Sequence, residues 1–95
     1  MKITINFVSI TTVTDFYKQL QQKMKLPAHF GENLDALHDV ISGDIEMPLE
    51  ITFLNVSDEK KITFQSIIET MEQLMEEVQG FTFRLNISHS VFDIS

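Results

Sequence analysis

The chain has 95 residues, 43% of them hydrophobic, which is enough for one domain with a modest core. With no cysteine, it can hold no disulfide, no thiolate metal site and no cysteine nucleophile. Asp and Glu number 14 against 7 Lys and Arg, and the formal net charge of −7 opposes nucleic acid and anionic membranes while it attracts basic partners.

At the N-terminus Ile3, Ile5 and Phe7 alternate with Thr4 and Asn6, the pattern of a strand with one buried face. Such alternation is not the continuous apolar stretch of a signal peptide. No run approaches the roughly 20 apolar residues that span a bilayer, so a cytoplasmic location is expected. Thr12 and Asp15 have capping-box spacing, with Asp in place of the usual Glu. A helix should follow, burying Phe16, Leu20 and Met24 with Tyr17 beside them. It must end by Lys25–Leu26, because Pro27 cannot continue it.

The next stretch, Leu26 to Leu49, holds both prolines, Gly31 and Gly43, His29 and His38, and the acids Glu32, Asp35, Asp39, Asp44 and Glu46. Gly31 breaks the preceding segment, Asn33 is a good N-cap and Gly43 a plausible stop for a short helix. At about 100° per residue, Leu34, Leu37, Val40 and Ile41 share one face, and Asp35, His38, Asp39 and Ser42 share another. A like-charge pair four residues apart, as Asp35 and Asp39 are, costs an isolated helix about 0.2–0.5 kcal/mol. Asp39 also lies toward the end where the helix dipole disfavours an acid. Neither placement helps the fold, which points to function; the ordinary alternative is a solvated polar face.

Leu49 to Asn55 forms the second predicted strand, and Ser57 to Lys61 a polar connection. Phe64, Ile67, Ile68, Met71, Leu74, Met75 and Val78 fit one long amphipathic helix capped by Thr63 and ended by Gly80. Phe81, Phe83, Leu85 and Ile87 alternate with polar residues in a third strand. Strands joined by helical crossovers pair in parallel, which predicts a single α/β domain over residues 1–88. It should hold a three-stranded parallel sheet with three to four helices, followed by a tail over residues 89–95. Strict alternation in the outer strands predicts that one sheet face is partly exposed.

The string LPxxFGxNLDALxDxxxG from Leu26 to Gly43, followed by Glu46, Pro48 and Leu49, resembles the barstar family of intracellular ribonuclease inhibitors. The resemblance implies the barstar fold and a cis bond between Met47 and Pro48. It further implies that the central helix and the loop before it plug the basic active site of a secreted, barnase-like ribonuclease, with carboxylates in the places of RNA phosphates. By that resemblance Asp39 is the principal phosphate mimic and Asp35 a second contact. Gly43 is a contact glycine at a close approach of backbones, and Ser42 keeps a hydroxyl where the family has Thr. A further acid comes from the last helix. Glu76 is the nearest match, with Glu72 and Glu77 open because the register shifts near Gly80. The expected state of the free protein is a monomer.

The chain departs from the family where aromatic residues are replaced by His29, His38 and Asp44, which implies a cognate enzyme with a different cleft. Two other readings remain. His38, Asp35 and Asp39, joined by His29 or Glu32, could ligate a divalent cation or supply a general base. However, no HExxH, phosphate loop or nucleophile motif supports an enzyme, and no cofactor is implied. The protein could also be an immunity protein or adaptor that binds another toxin or basic partner.

Overall fold

The computed structural model describes residues 1–88, apart from the side chain of Asp44, so the expected tail lies outside the described residues. Strands β1 (Lys2–Asn6), β2 (Leu49–Val56) and β3 (Phe81–Ile87) form one parallel sheet in the order β1-β2-β3. Helices α1 (Val13–Met24), α2 (Leu34–Asp39), α3 (Asp58–Thr63) and α4 (Gln65–Glu77) make the crossovers. This is the expected α/β architecture.

Register explains the alternation. Ile3 pairs with Ile51 and Ile51 with Phe83, while Ile5 pairs with Phe53 and Phe53 with Leu85. These rows face the core, and Ile5, Ile51 and Phe53 are fully buried. The opposite face carries Lys2, Thr4, Asn6, Glu50, Thr52 and Arg84, all exposed or half-buried. Side chains two apart share a face, so the short polar positions mark the face left open to water.

Phe7 belongs not to β1 but to a tight turn over Phe7–Ser9, where it remains fully buried. The reason is local. The Asn6 side chain accepts a hydrogen bond from the Val8 N–H at 3.0 Å and offers the backbone an alternative to the ladder. Asn6 also accepts from the Asn55 amide at 3.1 Å, and Asn55 takes a left-handed φ of 58° where β2 slips register before Val56.

The long helix expected before β3 is α4, and a further helix, α3, precedes it where a polar connection was expected. Ser57 caps α3, its hydroxyl accepting from the Lys60 N–H at 3.2 Å, so the supposed polar connection is helical. Thr63 caps nothing; the chain breaks at Phe64, whose φ of −104° and ψ of 19° leave the helical region. The break follows from packing. Phe64 stands edge-on to Phe7 at 5.1 Å between ring centroids, and Phe7 packs on Phe53 at 4.8 Å. Phe53 in turn meets Phe16 at 5.5 Å and Phe83 at 4.9 Å. Aromatic pairs at these separations add about 0.5–1.5 kcal/mol beyond their area burial, so turning Phe64 inward outweighs one continuous helix.

The end of β3 departs from expectation too, since Leu85 and Ile87 are only half-buried. Along the outer side of that strand the Phe83 N–H donates to the Met75 sulfur at 3.2 Å, so α4 covers part of the edge. Gly80 turns the chain from α4 into β3 with φ of +94°, and a Cβ there would stand 3.0 Å from the Met47 Cβ. Both constraints require glycine. The Met47–Pro48 bond is cis, as the resemblance implied.

Candidate partner-binding surface

The two caps of α1 and the loop after it fix the approach to α2. The capping box forms as predicted. Thr12 Oγ1 accepts from the Asp15 N–H at 3.1 Å, and Asp15 Oδ2 accepts from the N–H groups of Thr12 and Thr11 at 3.0 and 3.1 Å. These bonds to backbone N–H groups hold the Asp15 carboxyl below its ordinary range. At the other end Lys25 takes a left-handed conformation, and the Leu26 N–H returns to the Gln21 carbonyl at 3.0 Å. Gln21 also donates its side-chain amide to the Pro27 carbonyl at 2.8 Å. Phe30 is buried near Tyr17, which leaves its neighbour His29 exposed on the loop. Burial pushes the Tyr17 hydroxyl up to about 12.

Asn33 is the N-cap of α2, its side-chain oxygen accepting from the Ala36 N–H at 2.8 Å. Gly31 lies close behind it, since a Cβ there would come within 3.1 Å of Asn33 Nδ2 and 3.3 Å of the Ala36 Cβ. Leu37 and Ile41 are fully buried and Val40 nearly so, as the periodicity required. Leu34 does not join them. It sits in the first turn, 37% exposed, beside the groove between α1 and the Thr63–Ile67 segment that Val13 and Asp35 also line.

The helix does not stop at Gly43. After Asp39 it widens into a π turn over Val40–Asp44, closed by the Ile45 N–H to the Val40 carbonyl at 3.2 Å. Gly43 has no positive φ. It is exposed, and an added Cβ would meet no atom of the described residues within 4 Å. Nothing among the described residues therefore demands glycine here. The Ser42 hydroxyl donates to the His38 carbonyl at 2.7 Å, a back-bond that accompanies distortion of a helix.

The predicted acids come to the surface together. Asp35 and Asp39 are exposed, and among the described residues neither takes part in an ion pair. Asp39 lines a cleft of about 500 Å³ whose walls include Leu26, Pro27, His29, Phe30 and Val40, which brings His29 and Asp39 to one opening. Asp44 closes the π turn with its backbone.

Of the acids on α4, Glu77 is the one tied to this face. Its Oε2 lies 3.3 Å from His38 Nε2, and its Oε1 accepts from the Gln73 amide at 2.8 Å. Those two partners, Gln73 first, hold its carboxyl below the ordinary glutamate range. Glu76 is exposed and projects away from the buried face of α4, while Glu72 lies on the other flank with Ile68 and Leu85. Sequence reasoning left these three open because the register of the resemblance shifts near Gly80. Among the described residues, no three His, Asp or Glu side chains lie together as a metal site requires.

Fold and surface together define a small acidic α/β domain. The chain belongs to the barstar family: the family model described as Barstar (barnase inhibitor) matches residues 1–90. It is also similar to a Bacillus subtilis (strain 168) protein whose name reads "Putative ribonuclease inhibitor YrdF". The two are 28% identical over an alignment of 83 residues that covers 82% of this chain and 89% of the relative.

Proposed function

We propose that this protein is an intracellular inhibitor of a secreted, barnase-like ribonuclease, not itself an enzyme, and that it occupies the enzyme's basic cleft with carboxylates in place of RNA phosphates. The observation that carries this reading is the pair Asp35 and Asp39, both exposed on α2 with no cation of the described chain paired to either. A carboxylate can accept two parallel hydrogen bonds from a guanidinium, the geometry by which arginine also holds a phosphate. Like charges four apart on a helix oppose folding slightly and become favourable once a cationic cleft covers them. Gly43 supports the same reading, because its missing side chain serves no contact among the described residues.

Asp39 is the central anchor, followed by Asp35, with Gly43 and Ser42 at the C-terminal side of the patch and His38, His29, Asp44 and an acid of α4 around it. The substitution of His29, His38 and Asp44 for the family's aromatic residues favours a cognate enzyme other than barnase itself. It also keeps a second reading alive, an immunity protein or adaptor for another basic toxin. Nucleic acid and membranes are not partners in either reading, and the free protein acts in the cytoplasm as a monomer.

The test is a titration against a barnase-type ribonuclease and a panel of secreted nucleases, with RNA cleavage as the readout. Stoichiometric loss of cleavage is expected, weakened by salt. Asp39→Ala should cost about 3–5 kcal/mol of binding, because it strands a desolvated charge on the partner. A folded protein that leaves every enzyme uninhibited would move the assignment to the second reading.

A further inference from the structure

We propose that His38 and Glu77 form an exchangeable cation position at the rim of the acidic patch. In the free protein the imidazole of His38 occupies the place that a guanidinium or ammonium of the partner takes in the complex. The inference rests on the partner-binding reading above and adds a proton to it: where His38 is protonated, binding of the basic partner releases that proton.

The geometry has three parts. Glu77 Oε2 is 3.3 Å from His38 Nε2, and both side chains are partly open to water, at 46% and 40% exposure, so a partner's cation can reach the carboxylate. Gln73 donates to the other oxygen at 2.8 Å, a bond independent of the imidazole that keeps Glu77 aimed in the exchange. The backbone of His38 is pinned by the Ser42 hydroxyl at 2.7 Å, so the exchange needs only a change of the imidazole rotamer.

The charged groups beside His38 on α2 and α4 are acids. Asp35 lies one turn before it on α2 and Asp39 follows it, while α4 contributes Glu77, with Glu76 next to it. Among the described residues no Lys or Arg pairs with Glu77. The position therefore holds a histidine cation or a foreign one, and the two compete. Imidazole is the side chain whose ordinary titration falls between pH 5 and 8. Linkage then requires affinity for a basic partner to fall as the pH drops through that range, by up to tenfold per unit.

The experiment measures Kd by calorimetry from pH 5 to 8 for the wild type, His38→Gln and Glu77→Gln against a barnase-type ribonuclease. Titrating groups of the enzyme, and His29, cancel in the difference between wild type and variant. The wild type should lose affinity relative to His38→Gln by up to tenfold per unit at the acid end. Glu77→Gln should weaken binding at pH 8 and flatten its own curve relative to the wild type. Parallel curves for wild type and His38→Gln would overturn the exchange and leave the inhibitor reading standing. Absence of binding at pH 8 would instead count against that reading, and a hexaarginine peptide then decides the exchange by nuclear magnetic resonance. Saturating peptide should lower the pH at which the His38 ring resonances shift in the wild type but not in Glu77→Gln. An unmoved titration would overturn it.

Discussion

The Ser42 hydroxyl donates to the His38 carbonyl at 2.7 Å at the point where α2 widens into its π turn. That bond links the residue beside Asp39 to the one before Gly43. Ser42→Ala should lower folding stability by no more than about 1 kcal/mol, the net worth of one exposed neutral hydrogen bond. Its larger effect should be local, with faster amide exchange at residues 43–45 and weaker partner binding, both restored in Ser42→Thr. Unchanged exchange in Ser42→Ala would mean that the bond does not hold the turn.

Gly43 separates folding from binding. Its surroundings are open within 4 Å among the described residues and its φ is not positive, so alanine fits without strain. Gly43→Ala should raise stability by roughly 0.5–1 kcal/mol, since alanine loses less conformational freedom in helical backbone. The same variant should bind the cognate enzyme more weakly. Urea unfolding and inhibition titration, run on one preparation, check both signs.

Phe64 and Ile62 lie two residues apart with opposite fates: Phe64 is 1% exposed and Ile62 76%. Phe64→Ala should cost about 3–5 kcal/mol, because it opens a cavity against Phe7 at the centre of the aromatic cluster. Ile62→Ala should stay within about 0.5 kcal/mol of the wild type. Chemical denaturation of the two variants tests whether the break between α3 and α4 exists to deliver Phe64 to the core.

Acid stability should follow Asp15 and Glu77. Both carboxyls are held below their ordinary values, Asp15 by the N–H groups of Thr12 and Thr11, Glu77 by Gln73 and then His38. A depressed folded-state value contributes stability that is fully present above the unfolded value and lost as pH falls through the folded one. Melting temperature should therefore decline from about pH 4 downward, the ordinary carboxylate range. Asp15→Asn keeps an acceptor but removes the charge. The gap between wild type and Asp15→Asn should be wide at pH 6 and close near pH 2.

The strands, the capping box of α1 and the Asn33 cap were legible because each depends on residues within a few positions of one another. Alternation in Ile3, Ile5 and Phe81, Phe83 marks a buried face whatever the rest of the chain does. The candidate patch was legible in part for the same reason, since Asp35 and Asp39 share a helical face by spacing alone.

Other features depended on residues distant in sequence. The Phe64 break answers to Phe7 and Phe53 across the sheet, which no local propensity records. Leu34 is left half in solvent because α1 and the Thr63–Ile67 segment stand apart at its turn. The choice of Glu77 over Glu72 and Glu76 as the neighbour of His38 needs the packing of α4 on α2. Sequence alone determined the three strands, the helices α1, α2 and α4, and where the acids gather. Tertiary structure decided which of them meet, because a contact across some forty residues depends on how the intervening chain packs.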